Sequence, residues 1–158
     1  QGKLPRVSEA VTSVLFVCGE NAAASIMAEA TLRAFGVPRF RAYSAGVRPV
    51  ARLSTETLEF LASRRLPVAG LQPKSVMQFI APHGPQLDFV ITLSGPSIDM
   101  PTADWKGSPV LARWNMDDDL LDMYWTLQRR IRIFTSLPHA RLPRRAMEER
   151  VHALATWQ

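Results

Sequence analysis

Cysteine is nearly absent: Cys18 is the only one in 158 residues. A single thiol excludes an internal disulfide framework and fits a reducing compartment, so a cytoplasmic location is expected. Histidine is scarce as well. His83, His139 and His152 are scattered without zinc-site spacing, and neither a metal nor a cofactor is expected. No apolar run approaches the roughly 18 residues that a membrane span requires. Gln1–Val11 carries charges but no apolar stretch of the signal-peptide kind. Repeats, low-complexity tracts and an interdomain linker are also missing.

What is present suits one compact domain over 1–158, with a core over about 13–137 and a C-terminal helical extension over about 143–157. The apolar fraction of 47% is enough for a real core, and the net charge of +5 is compatible with anionic ligands. Nucleic acid is such a ligand, but no recognition motif stands out, so a basic solvated surface is the preferred reading.

Four strand-like stretches alternate with helical ones. Ser13–Val17 is a continuous apolar run, as expected of a central parallel strand buried on both faces. A helix after Ser25 shows an apolar stripe at Met27, Ala30, Thr31 and Ala34 and stops at Gly36 and Pro38. Arg39–Ser44 alternates like a strand and leads into Ser44-Ala45-Gly46. Ser54 is placed to cap a helix through Arg65, and Ser75 a short one over Val76–Ile80. Leu87–Leu93 and Pro109–Trp114 are the next strands, the latter with Val110 and Leu111 suited to burial, and Ser94–Gly107 is a long polar loop between them.

After the acidic loop Asn115–Asp119, Leu120, Tyr124, Leu127, Ile131 and Phe134 form a helical stripe, with Arg129, Arg130 and Arg132 on the opposite face. Pro143 starts a last helix with Met147, Val151 and Leu154 on one side, which either pads the domain or makes a homo-oligomer contact. The pattern is an α/β doubly wound domain with a four-stranded parallel sheet.

The chemistry concentrates in Val14–Ser25, which reads as strand, small-residue loop and helix start. Such a turn points successive N–H groups and a helix N-terminus into one concavity, which suits an anion. The same field favours a thiolate at Cys18, making it a candidate nucleophile toward a phosphate-like oxyanion. As a lone cysteine it could equally be a small buried hydrophobe.

This stretch resembles the phosphate loop of the low-molecular-weight protein tyrosine phosphatases and the related thioredoxin-coupled arsenate reductases. In that family the loop reads Cys, five residues, Arg, Ser, and the helix that follows has Met-Ala-Glu in its first turn. Here the frame is Cys18, Gly19, Glu20, Asn21, Ala22, Ala23, Ala24, Ser25, then Met27-Ala28-Glu29. Ala24 stands where the family has arginine, and Glu20 where it usually has glycine. Asn21 matches a loop asparagine. Ser25 is able to donate to the Cys18 sulfur and to cap the helix.

The resemblance covers roughly Ser13 to Phe134 and takes in Ser44-Ala45-Gly46 and Leu87–Leu93. It implies that loop residues 19–25 bind a phosphate-like oxyanion or a phosphoprotein and that Lys74 borders the mouth. It also implies that Asp118 is the general acid, with Asp119 in place of the family's proline. Three aspartates ahead of a helix are also ordinary N-terminal charges.

A loop arginine binds two phosphoryl oxygens and stabilises the transition state; its loss costs roughly 3–4 kcal/mol, about a hundredfold to a thousandfold in rate. Arg48 and Arg113 are the positional candidates to replace it. Ser94 and Met100 stand where the arsenate reductases keep two relay cysteines, which excludes that relay. Three readings stay open: a phosphatase with impaired or altered catalysis, a non-catalytic anion- or protein-binding module, and a single-cysteine arsenate reductase using an external thiol.

Overall fold

The computed structural model describes residues 11–20, 22–80, 82, 84–93, 105–116, 118–139 and 142–156. Four strands, β1 (Thr12–Cys18), β2 (Phe40–Gly46), β3 (Phe89–Leu93) and β4 (Val110–Trp114), form one sheet in the order β2-β1-β3-β4. Every neighbouring pair is parallel, with Cys18 opposite Gly46 and Val17 opposite Thr92. Helices α1 (Ala24–Gly36), α2 (Thr55–Ser63), α3 (Met77–Ile80), α4 (Leu120–Ser136) and α5 (Arg144–Ala153) accompany it, and a 3-10 turn, Leu154–Thr156, follows α5.

The continuous apolar run of β1 is explained by its two buried faces. Val14, Phe16 and Cys18 enter the larger core with residues of α1, α4 and α5. Leu15 and Val17 enter a smaller cluster with Ala45, Val76, Phe79, Leu87 and Val90. β4 is an edge strand, and there the burial alternates. Val110, Ala112 and Trp114 are buried, whereas Leu111, expected inside, is 50% exposed. Only one face of an edge strand meets the core here, so only one parity is covered.

Helix α1 is broader in its burial than the expected stripe. Every residue from Ser25 to Leu32 is buried, because α1 lies between the sheet and α4, while Ala34 is exposed. At its end Gly36 provides room: a Cβ there would stand 3.0 Å from both Leu32 and Phe40 side chains. Ser54 caps α2 by accepting from the Thr57 N–H at 3.1 Å. That helix ends at Ser63, two residues before the expected Arg65, which takes a left-handed φ of 60°. Ser75 caps α3 by accepting from the Met77 N–H. β3 begins at Phe89 rather than Leu87, whose N–H donates to Lys106. β4 likewise begins at Val110, one residue after the expected Pro109.

In α4, Leu127, Ile131 and Phe134 are fully buried and Asp119 is the N-cap, accepting from the Asp122 N–H. Its basic face is not uniform. Arg132 is exposed, but Arg130 is only 5% exposed and donates to the carbonyls of Asn115 (2.6 Å) and Ala155 (2.8 Å). A buried guanidinium needs such acceptors, and these lie in the segment before α4 and in the 3-10 turn after α5.

The apolar residues of the C-terminal segment, Met147, Val151 and Leu154, are buried within the chain itself. Trp114 donates its indole N–H to the Val151 carbonyl at 3.0 Å. Among the described residues no helix is long and apolar enough to cross a membrane.

His139 closes one end of the core against the rings of Phe40, Phe89 and Phe134. Its Nε2 lies 2.6 Å from the Phe134 carbonyl, which only accepts, so Nε2 carries the proton of the neutral ring. Burial holds its pKa below the usual histidine range, with Arg39 adding to the shift and the Phe134 carbonyl and Asp88 opposing it.

Two expectations follow. Met147→Ala destabilises the protein by about 2–5 kcal/mol in urea titrations, because α5 is part of the core. Stability also falls as the pH drops below about 6.5: the unfolded His139 takes a proton there while the folded one resists it. In His139→Gln the loss of urea midpoint between pH 7.5 and 5 becomes smaller.

Candidate active site

Cys18 is the last residue of β1, at the carboxyl edge of the sheet. The chain runs from β1 to β2 on one side, then crosses to β3 on the other. That reversal opens a crevice at the ends of the central strands, the usual location of a ligand site in such sheets. The loop after Cys18 leads into α1, whose N-terminal end is brought to the end of β1 by the contact of Ser25 with Cys18.

The decisive contact joins the two ends of the loop: Cys18 Sγ and Ser25 Oγ lie 2.9 Å apart, both residues being buried. Ser25 is not the helix cap. The N-cap is Ala23, without a side-chain hydrogen bond, and Ser25 is the second residue of α1. Its hydroxyl is directed to the sulfur instead. Between these ends, Glu20 is exposed, Gly19, Ala22, Ala23 and Ala24 are half-buried, and Asn21 lies outside the described residues.

The segment following β2 is tied to the loop through its backbone. The N–H groups of Val47, Arg48 and Val50 donate to the carbonyls of Cys18 (3.2 Å), Gly19 (2.7 Å) and Glu20 (3.0 Å). Arg48 therefore stands beside the loop, with its side chain exposed. Arg113 does not. It follows Leu111 on β4 in register with Thr92 and Val17, on the sheet face opposite Cys18.

Asp118 is exposed in the loop after β4, and parallel pairing brings that loop to the same edge of the sheet as Cys18. Its neighbour Asp119, in the proline's place, is engaged as the α4 cap. Asp117 and the expected relay positions Ser94 and Met100 lie outside the described residues.

Sequence reasoning missed Glu29. Its carboxylate is 2% exposed, accepts from Ser44 Oγ and Arg33, and has Lys74 Nζ at 3.8 Å. The Glu29–Arg33 spacing of four was a visible signal for the ion pair, but nothing local pointed to Ser44 or Lys74. Lys74 also donates to the Gln72 carbonyl, and burial lowers its pKa against the opposing pull of Glu29. Lys74 is thus half-buried and committed to Glu29, not a simple solvated lysine. Among the described residues no group of three His, Cys, Asp or Glu is placed to hold a metal ion.

The sequence model described as low molecular weight phosphotyrosine protein phosphatase matches residues 13–104, more than half of the chain. The chain belongs to that family. A search of curated proteins returns no match.

Among solved structures, the arsenate reductase of Archaeoglobus fulgidus is 27% identical, with a TM-score of 0.63 and coverage of 77% of this chain and 98% of that one. A thioredoxin-dependent arsenate reductase of Corynebacterium glutamicum is 24% identical at a TM-score of 0.66, covering 85% of this chain. The chain spans 66% of that protein's length. The low molecular weight protein tyrosine phosphatase of Streptococcus pyogenes is 16% identical, with a TM-score of 0.61 and coverage of 87% and 98%. The latter two likenesses speak for the shared fold.

The Cys18–Ser25 contact yields a direct expectation. Ser25→Ala removes a hydrogen bond to the sulfur without removing a helix cap. Alkylation of the sole cysteine by iodoacetamide at neutral pH then slows by about tenfold. An unchanged alkylation rate with lowered stability would instead assign Ser25 a structural role alone.

Proposed function

We propose that this family member is an oxyanion-binding phosphatase-type protein whose turnover is reduced by the alanine at position 24. The observation that carries the reading is the pairing of Cys18 Sγ with Ser25 Oγ across the loop at 2.9 Å. A purely structural cysteine has no need of a buried hydroxyl brought to it from a helix.

In this reading Cys18 attacks phosphorus as a thiolate, and the bond to the leaving oxygen breaks as Asp118 protonates that oxygen. Water then cleaves the thiophosphate and releases inorganic phosphate. Residues 19–25 form the phosphate loop. Lys74 acts on the site through Glu29 rather than on the substrate. No cofactor enters the reaction, and a reducing compartment such as the cytoplasm keeps the thiol free. The apolar stripe of α5 is used inside the chain, so homo-oligomerisation through it forms no part of the reading.

The second reading, a non-catalytic module that binds an anion or a phosphoprotein, is favoured by Ala24 together with the exposed carboxylate of Glu20 on the loop. Hydrolysis of a simple aryl phosphate separates the two. The parent is expected to turn over slowly, Cys18→Ser not at all, and Ala24→Arg about a hundredfold to a thousandfold faster than the parent. A silent parent revived by Ala24→Arg would establish the binding module.

A further inference from the structure

We propose that Arg48 supplies, from the segment after β2, the guanidinium that the loop itself lacks, and so holds the oxyanion over Cys18. The inference rests on the oxyanion-site reading above and adds the residue that makes it work without an arginine at position 24.

Two observations place Arg48. First, successive N–H groups of Val47 and Arg48 bond to successive carbonyls of Cys18 and Gly19, which holds this segment against the loop. Second, Arg48 is exposed where the chain bends just past the end of β2, so its side chain is at the rim of the loop and in neither core cluster.

Arg33, Lys74 and Arg113 are committed elsewhere. Arg33 is bound to the Glu29 carboxylate and the Ala69 carbonyl. Lys74 is held by Glu29 and Gln72. Arg113 is on the other face of the sheet. Arg48 is exposed, and its long side chain has the freedom to close on a ligand. A guanidinium offers paired donors to two oxygens of a tetrahedral anion, which no backbone loop alone supplies with charge.

Inorganic phosphate is the probe and alkylation of Cys18 by iodoacetamide the readout, since no other thiol reacts. In the full chain, phosphate is expected to slow alkylation of the parent. Arg48→Ala should raise the phosphate concentration for half protection by about tenfold to a hundredfold. Arg48→Lys should retain part of the protection, and Ala24→Arg in the Arg48→Ala background should restore it. Far-ultraviolet circular dichroism checks that these variants stay folded.

Equal protection of the parent and Arg48→Ala overturns the proposal. Protection seen only when Ala24→Arg is present also overturns it, while leaving the oxyanion site at Cys18 standing. Absence of protection in every variant, Ala24→Arg included, removes that site reading and the proposal with it.

Discussion

A carboxylate at 2% exposure, that of Glu29, has to be compensated where it stands. Removing an ion from water costs several kcal/mol, and the compensation here comes from three places in the chain. Ser44 donates from β2, Arg33 donates from the next turn of α1, and the Lys74 ammonium stands 3.8 Å away as an ion-pair partner on the segment leading to α3. Each partner fixes the position of its own element relative to α1. Ser25 lies one helical turn before Glu29 on the same face, so the constraint that seats Glu29 over the end of β2 also seats Ser25 over the end of β1. The contact of its hydroxyl with Cys18 is in that sense a consequence of the buried charge.

Periodicity made the architecture legible. The two-sided burial of β1, the stripe of α4 and the caps at Ser54 and Ser75 each arise from a local pattern with a physical cause, and the strand–loop–helix frame around Cys18 follows from them. The departures share a different cause. Leu111 reads as a core residue because apolarity does not reveal that β4 is an edge strand covered on one face. Arg130 reads as one of three surface arginines because its acceptors, the carbonyls of Asn115 and Ala155, are brought to it only by tertiary folding.

Ser25 illustrates the same limit within the site. A serine at the start of a helix is indistinguishable, along the chain, from an N-cap; two residues of difference in where the helix begins turn its hydroxyl from the backbone to the sulfur. The last helix was visible from its 147, 151 and 154 spacing, but its use was not. Its docking depends on the Trp114 indole N–H meeting the Val151 carbonyl, a pairing between distant positions that no local pattern announces.

The arrangement separates what holds the loop from what acts within it. Ser25 and Glu29 are buried and build the frame, and each finds its partners among the strands and helices around it. Position 24 is only half-buried, at the outer edge of that frame, and the helix starts there without a side-chain cap. An arginine at such a position would contribute charge to a ligand and little to the fold. Alanine there supplies no cation and leaves the contact of Cys18 with Ser25 in place, so in the proposed reading the positive charge comes from a side chain that the neighbouring backbone holds close. Beyond the strand pair that ends at Cys18 and Gly46, backbone bonds from Val47 and Arg48 to Cys18 and Gly19 keep Arg48 beside the loop, which is why it is the residue proposed for that charge.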